Sequence, residues 1–261
     1  MPDRATMDTQ PITLQGADAP RVSVIIPNYN YGQYVAETLD SVRAQTYQPL
    51  DIVVVDDGSS DDSGAVIEQS LARFNGVRRT VFHRQPVNAG KLSALNAVMH
   101  EMTAPYTLTL DADDLLEPDY IERCLNTLIE ARRQDPQIAL VYSDCLLIDR
   151  NGAFIDRGRS TAFDAEKLQT MSYIPEPALC LNEACIGVMP FDPRIKVGTK
   201  HHKWLRMIKQ GWKGLYIAEP LIRYRMHDHN LSGIGNRVLS ELESGQRGER
   251  ILSGYWVAVG A

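Results

Sequence analysis

Four short apolar runs, each closed by polar residues and separated from the next by a helical pattern, constrain this chain more than any other feature. They are Val22-Ser23-Val24-Ile25-Ile26, Ile52-Val53-Val54-Val55, Thr80-Val81-Phe82 and Tyr106-Thr107-Leu108-Thr109-Leu110. Runs of this length and composition predict strands, and near-continuous apolar character predicts strands covered on both faces. The segments between them carry helical spacing. Val35, Leu39 and Val42 mark one helix; Val66, Ile67 and Leu71 mark a second, with Ser59, Ser60 or Asp61 as its cap; a third runs from about Gly90 to Met102. Strand and helix in alternation predict an α/β fold built on a mostly parallel open sheet with helices on both faces. A helix opened by Pro118, with the apolar stripe Tyr120, Ile121, Leu125, Leu128 and Ile129, and a fifth strand from Ile138 to Tyr142 extend the pattern.

After about Asn151 the alternation weakens. A helix from Thr199 to Gln210, strand-like 215–217 and 221–225, and a last helical segment near 237–252 are the elements expected there. The organisation predicted is a flexible leader over 1–20, a nucleotide-handling half over 21–150, a substrate-facing half of the same domain over 151–232, and a C-terminal helical segment over 233–261.

Composition narrows the function classes. The formal net charge of -6, with no run of five basic residues, argues against a nucleic-acid surface, and the pairs Arg78-Arg79 and Arg132-Arg133 read as solvated faces. Cys124, Cys145, Cys180 and Cys185 show no CxxC spacing and are too few for a disulfide scaffold, so buried thiols in a reducing compartment are expected. No apolar stretch approaches the roughly 18 to 20 residues of a membrane span, and the polar N-terminus lacks a signal-peptide core. The expectation is a cytoplasmic protein, with peripheral membrane contact left open.

In open parallel sheets ligands bind beyond the carboxyl ends of the strands. The residues there are Pro27-Asn28-Tyr29-Asn30, Asp56-Asp57-Gly58-Ser59-Ser60-Asp61, Asn88-Ala89-Gly90-Lys91 and Asp111-Ala112-Asp113-Asp114, all polar or turn-forming. Three carboxylates so close repel one another, which calls for a cation. Oxygen ligands of this kind suit Mg²⁺ or Mn²⁺, and a carboxylate-held divalent ion commonly serves nucleotide phosphates. Two rival motifs fail on spacing: a phosphate-binding G-x-x-x-x-G-K would need glycine at Gln85, and a calcium-binding EF-hand loop would need glycine at Leu116.

The segments 22–30, 54–61, 88–96 and 110–114 resemble, in order, the successive signatures of family 2 glycosyltransferases, and the resemblance runs from about residue 21 to 232. It implies a GT-A type, Rossmann-like fold, a nucleotide-sugar donor, a divalent metal and inversion at the anomeric carbon. Residue by residue it implies that Tyr29 flanks the donor base on a wall shaped by Pro27 and Asn28, a role that suits a flat aromatic face. Asp57 matches the carboxylate that accepts a hydrogen bond from the base, with Asp56 its neighbour, and Lys91 faces the donor as a point cation. Asp111 and Asp113 fit the family's DxD. Asp113 is the direct metal ligand and Asp111 a ribose or water-mediated contact, while Asp114 and Asp61 are assigned to turns and helix caps. The segment Tyr224-Arg225-Met226-His227, with Asn230 and Ser232, resembles the family's closing Arg-x-His-x-x-Asn-x-Ser and makes His227 a further metal ligand.

One part of the pattern is missing. Inverting transfer needs a general base for the acceptor hydroxyl, and the family supplies it from a Glu-Asp pair a few residues before Trp-Leu-Arg. Here Trp204-Leu205-Arg206 is preceded at that distance by Thr199-Lys200. His201 and His202 lie one and two residues downstream and are the sequence candidates for the base, although only one of them can readily face the cleft because helical neighbours are about 100° apart. Glu176 or Asp192 swinging in is the other option, and Tyr173-Ile174-Pro175-Glu176-Pro177 is expected on the acceptor side.

The reading is a metal-dependent glycosyltransferase in polysaccharide biosynthesis, moving a sugar from a UDP-type donor to a hydroxyl of a saccharide or lipid-linked acceptor. A catalytically degenerate donor-binding or scaffolding protein is the alternative that Lys200 supports. A sugar-nucleotide nucleotidyltransferase is the other, against which Pro27-Asn28-Tyr29-Asn30 stands in place of a Gly-rich basic loop.

Overall fold

The computed structural model describes residues 19–228, 230 and 250–251. Its first half follows the strand and helix alternation: β1 (Val22–Asn28), α1 (Gly32–Arg43), β2 (Leu50–Asp56), α2 (Ser63–Leu71), β3 (Arg79–Arg84), α3 (Lys91–Ala97) and β4 (Tyr106–Thr109). There follow β5 (Leu115–Leu116), α4 (Tyr120–Gln134), β6 (Ile138–Ile148), β7 (Phe154–Arg159), α5 (Ala165–Thr170), β8 (Leu179–Leu181), α6 (Asn182–Ile186), α7 (Thr199–Lys209), β9 (Lys213–Arg225) and β10 (Arg250–Ile251). The sheet runs β10-β7-β6-β8-β4-β1-β2-β3, with β9 pairing β5 and β6.

Side-chain alternation along the central strands builds two cores. Val22, Val24 and Ile26 of β1 and Ile52 and Val54 of β2 pack with α1, α2 and α4; Ile25, Val53 and Val55 pack on the opposite face with α3, α5, α6 and α7. Both faces are therefore covered, which is why these strands read as continuous apolar runs. Burying a single Val or Ile side chain is worth about 1.5 to 3 kcal/mol, so the two faces together supply most of the drive for this arrangement.

The structure bears out the α/β fold with a mostly parallel sheet and changes its details in four places. Parallel pairing holds for β4-β1-β2-β3, but the other half of the sheet is mixed, because β8 runs antiparallel to both β4 and β6, β7 antiparallel to β6, and β5 antiparallel to β9. β1 runs beyond the apolar residues through Pro27 and Asn28. Odd-numbered residues of β1 face β4, as the bond from Leu110 N–H to the Ile25 carbonyl shows, and β4 pairing ends at Thr109. The N–H that proline lacks therefore has no ladder partner to lose. The two strand-like segments after α7 are one long strand, β9. Of the expected C-terminal helical segment, Arg250–Ile251 is extended and pairs with β7, and 231–249 and 252–261 lie outside the described residues. The leader over 1–18 lies outside them too.

The short strand β5 matters most for function. Leu115 pairs with Arg223 and Leu116 with Ile222. This antiparallel contact brings the end of β9, and with it 224–230, beside the acidic loop that joins β4 to β5.

Candidate active site

A cavity of about 730 Å³ opens at the carboxyl ends of β1, β2 and β4. One wall comes from those strand ends: Pro27, Asn28, Tyr29, Asp57, Lys91, Asp111 and Asp113 all line it. The other wall is the loop before α7 and that helix's first turn, from Ile195 to Lys200, with Ser172.

The strand-end wall is held by hydrogen bonds between loops. Asn30 adopts the left-handed conformation at φ 55°, which asparagine tolerates better than most residues, and its Oδ1 accepts from Ser60 N–H at 2.8 Å. Gly58 is required at φ 71°, because a Cβ there would stand 2.6 Å from the Val87 carbonyl carbon. Asp57 accepts from Ala89 N–H at 2.9 Å and Gly90 N–H at 2.6 Å, so it is a pinned acceptor at the cavity edge. Tyr29 presents a ring 43% exposed. Asp61 receives Ser63 N–H at 3.1 Å and Gly32 N–H at 2.9 Å, joining the start of α2 to α1.

Asp56 lies elsewhere than the resemblance implied. It is fully buried beneath the cavity wall, where it accepts from Asn28 Nδ2 at 2.8 Å and from the Ser59 hydroxyl and backbone N–H. With its oxygens used to tie β1 to the turn after β2, it positions its neighbours and does not face the cavity.

In the acidic loop, ligand atoms of Asp111, Asp113 and Asp114 all lie within 4.8 Å of one another. Asp113 Oδ2 sits 2.9 Å from His227 Nε2, and Asn230 Nδ2 holds the same region by donating to the Arg225 carbonyl at 3.0 Å. Asp114 is buried, takes Arg225 N–H at 2.9 Å on one oxygen and leaves Oδ2 without a partner. Burial, then the neighbouring Asp113 and Asp111, push its carboxyl well above the usual carboxylate range. Burial also raises Asp111; Lys91 offsets only part of this, and Glu176 and Asp113 add to it. The same three aspartates, after burial, raise the Tyr31 phenol, whose ring meets His227 edge-on at 5.6 Å between centroids.

Under the floor lies a buried ion chain. Lys91 binds both Asp111 and Glu176, and Glu176 also binds Lys203, whose ammonium lies 4.1 Å over the Trp204 ring. Burial works against the Lys91 charge, but the two carboxylates more than offset it and hold its pKa up. Burial likewise works against the Glu176 charge, and Lys203 and Lys91 overcome it, holding that carboxyl at about 2.

The structure brings neither histidine of α7 to the cavity. His201 is fully buried with Nε2 2.6 Å from the Leu168 carbonyl, and the His202 ring packs edge-on near Phe191. The reason is helical rotation: Thr199 and Lys200 take the cavity-facing turn, so the next two residues point into the packing against α5 and beside Phe191. Glu176 and Asp192 are no better placed, the first locked between lysines and the second paired with Arg194 at 2.7 Å. His202→Ala is accordingly expected to leave turnover within about twofold of wild type, measured as initial rate at saturating substrate. A loss of a hundredfold would return the base to that residue.

The sequence profile of glycosyl transferase family 2 matches residues 23–180, more than half of the chain. The chain belongs to glycosyl transferase family 2. An uncharacterised glycosyltransferase of Rickettsia typhi is 30% identical over 241 residues, covering 88% of this chain and 71% of its own. The chondroitin synthase of Escherichia coli is 36% identical over 150 residues, 57% of this chain but only 21% of that longer one. Among solved structures, a mannosyltransferase from Pyrobaculum calidifontis in complex with GDP-Man and Mn²⁺ superposes with a TM-score of 0.61 at 20% identity, over 82% of this chain and 59% of that one. S. aureus TarS 1–349 in complex with UDP gives 0.60 at 15% identity, over 84% and 64%. These superpositions show the GT-A fold. The family profile covers the β1, β2 and β4 strand ends and the acidic loop and stops at Cys180, so the α7 wall lies beyond it.

A divalent cation fits the residues present. Two cavity-lining carboxylates, an imidazole behind one of them and a buried carboxylate oxygen with no partner at Asp114 form an oxygen-rich set with one nitrogen, suited to Mn²⁺ or Mg²⁺. Arg225 and Asn230 belong to the closing segment of the resemblance, and neither has a role legible from sequence. Arg225, buried, donates from Nε to the Asp113 carbonyl at 2.9 Å and from Nη2 to Glu37 at 2.7 Å, so it shapes the acidic loop from behind.

Proposed function

We propose that this protein is a metal-assisted, inverting glycosyltransferase that moves a sugar from a nucleotide diphosphate donor, UDP-linked by preference, to a hydroxyl of a saccharide or lipid-linked acceptor. The observation that carries the reading is one cavity lined by Tyr29, Asp57, Lys91, Asp111 and Asp113 at the strand ends. Family membership and neighbours named with GDP-Man, Mn²⁺ and UDP support it. Tyr29 offers a flat face for the base, with Pro27 and Asn28 behind it, and the pinned Asp57 offers a fixed acceptor for a base N–H. Asp113, Asp111 and His227 would hold the cation, which when bound neutralises the diphosphate as a leaving group. Lys91, fixed by Asp111 and Glu176, adds positive charge on the same wall. Among the described residues no helix is long and apolar enough to cross a membrane, and a cytoplasmic site of action is part of the proposal.

The test is a panel of UDP-, GDP- and dTDP-sugars with Mn²⁺, followed as nucleotide release with and without candidate saccharide acceptors. Release from one donor, accelerated by an acceptor, is the expected result. Binding with no release under any condition would favour a donor-binding protein without transfer, and no binding to any donor would overturn the assignment.

A further inference from the structure

The α7 wall carries charge that the donor reading does not use. Lys200 lines the cavity with no hydrogen-bond or ion-pair partner among the described residues. The neighbouring cations are all engaged: Lys91 with Asp111 and Glu176, Lys203 with Glu176, and Lys196 donating to the Ala89 carbonyl at 2.5 Å. Ser172, only 3% exposed, lines the same cavity, and its hydroxyl also has no partner. A buried hydroxyl without a partner is costly, an ammonium without a counter-ion at a cavity wall attracts anions, and one anion with several acceptor oxygens would satisfy both.

Charges facing Lys200 agree. Burial lowers its pKa; Asp111, Glu176 and Asp114 draw it back only in part, and Lys91 adds to the lowering. Those carboxylates have nearer partners in Lys91, Lys203 and the Arg225 N–H, so they are poor counter-ions for Lys200. A ligand anion would be a better one. The acidic loop makes the strand-end wall repel an anion that arrives without a cation, so the open place for a negative group is on the α7 wall around Lys200.

We propose that Lys200 and Ser172 form an anion subsite on the α7 wall that takes a phosphate or carboxylate carried by the acceptor, making this an enzyme for anionic acceptors. The proposal rests on the donor reading above. It assigns Lys200 to binding and orientation of the acceptor, with the ammonium and the hydroxyl both donating to the same anionic group.

The experiment titrates inorganic phosphate, and acetate as the carboxylate probe, by calorimetry into the full chain, alone and saturated with UDP and Mg²⁺. Phosphate or acetate binding that survives nucleotide saturation is expected. Lys200→Met should weaken it by at least about tenfold and Ser172→Ala by about threefold, while Lys200→Arg should retain it. Competition between phosphate and UDP would place the cation on the donor diphosphate and overturn the acceptor assignment. Equal binding by Lys200→Met, or no anion binding to wild type, would overturn the subsite. Failure of UDP to bind wild type while phosphate still binds and responds to Lys200→Met would instead strike the donor reading and spare the anion site.

Discussion

Asp113→Asn is expected to lower the transfer rate by roughly 10²- to 10³-fold, the effect of removing one charged ligand from a cation that stabilises a leaving group. The substitution preserves shape, and the amide still finds His227 and Asn230 within reach, so the fold should survive. Asp111→Asn is a less clean probe, because it also strips Lys91 of one of its two carboxylate partners. The measurement is initial rate against Mn²⁺ concentration at saturating donor. A lower rate together with a higher Mn²⁺ requirement supports Asp113 as a ligand; turnover equal to wild type at all Mn²⁺ concentrations would sink the assignment.

The largest effect on stability is expected at Glu176. Glu176→Leu leaves Lys91 and Lys203 as buried ammonium groups that share no carboxylate, a defect that costs about 3 to 5 kcal/mol. For a chain of this size that lowers Tm by roughly 6 to 20 °C. The pH dependence follows from the direction of the shift. A carboxyl held at about 2 in the folded protein, below its unfolded value, stabilises the fold fully above that unfolded value. That contribution is lost as pH falls through the carboxylate range toward about 2. The Tm gap between wild type and Glu176→Gln should therefore be widest near neutrality and narrow as pH is lowered toward 3. A gap that stays constant over this range would show that the ion chain contributes no charge-dependent stability.

How legible this protein is in its sequence depends on whether a feature is local. The central strands and α1 were readable because a strand buried on both faces must be apolar throughout, and a helix against it must repeat every three to four residues. The strand-end residues were readable because a parallel sheet sends every such loop to one edge. By contrast, Pro27 and Asn28 read as lying beyond their strand, since only the pairing register shows that the absent Pro27 N–H faces no partner. The mixed half of the sheet was hidden because β8 is three residues long, too short to display a period.

The site divides along the same line. Tyr29, Asp57, Lys91, Asp111 and Asp113 converge because they follow β1, β2, β3 and β4, with Asp111 and Asp113 both after β4, and these strands run parallel. Asp56 and Asp57 are adjacent and chemically identical, and nothing in the sequence says which one turns to the cavity; the hydrogen bonds of Asn28 and Ser59 decide it. His201 and His202 looked like substitutes for a missing base because sequence distance was the only ruler. The rotation of α7 against Leu168 and Phe191 points them elsewhere and leaves Lys200 at the cavity.

Sequence alone thus determined the α/β architecture of the first half, the sheet edge where the cavity opens, and the acidic loop, since all three follow from periodicity and from charge repulsion between neighbours. Tertiary structure decided which carboxylates are paired, that Glu176 is a buried counter-ion for two lysines, and that the wall facing the acidic loop presents an ammonium in place of a carboxylate. Those facts depend on contacts between residues 20 to more than 100 positions apart, such as Lys91 with Asp111 and Asp113 with His227. Packing sets such distances, and no local pattern encodes them.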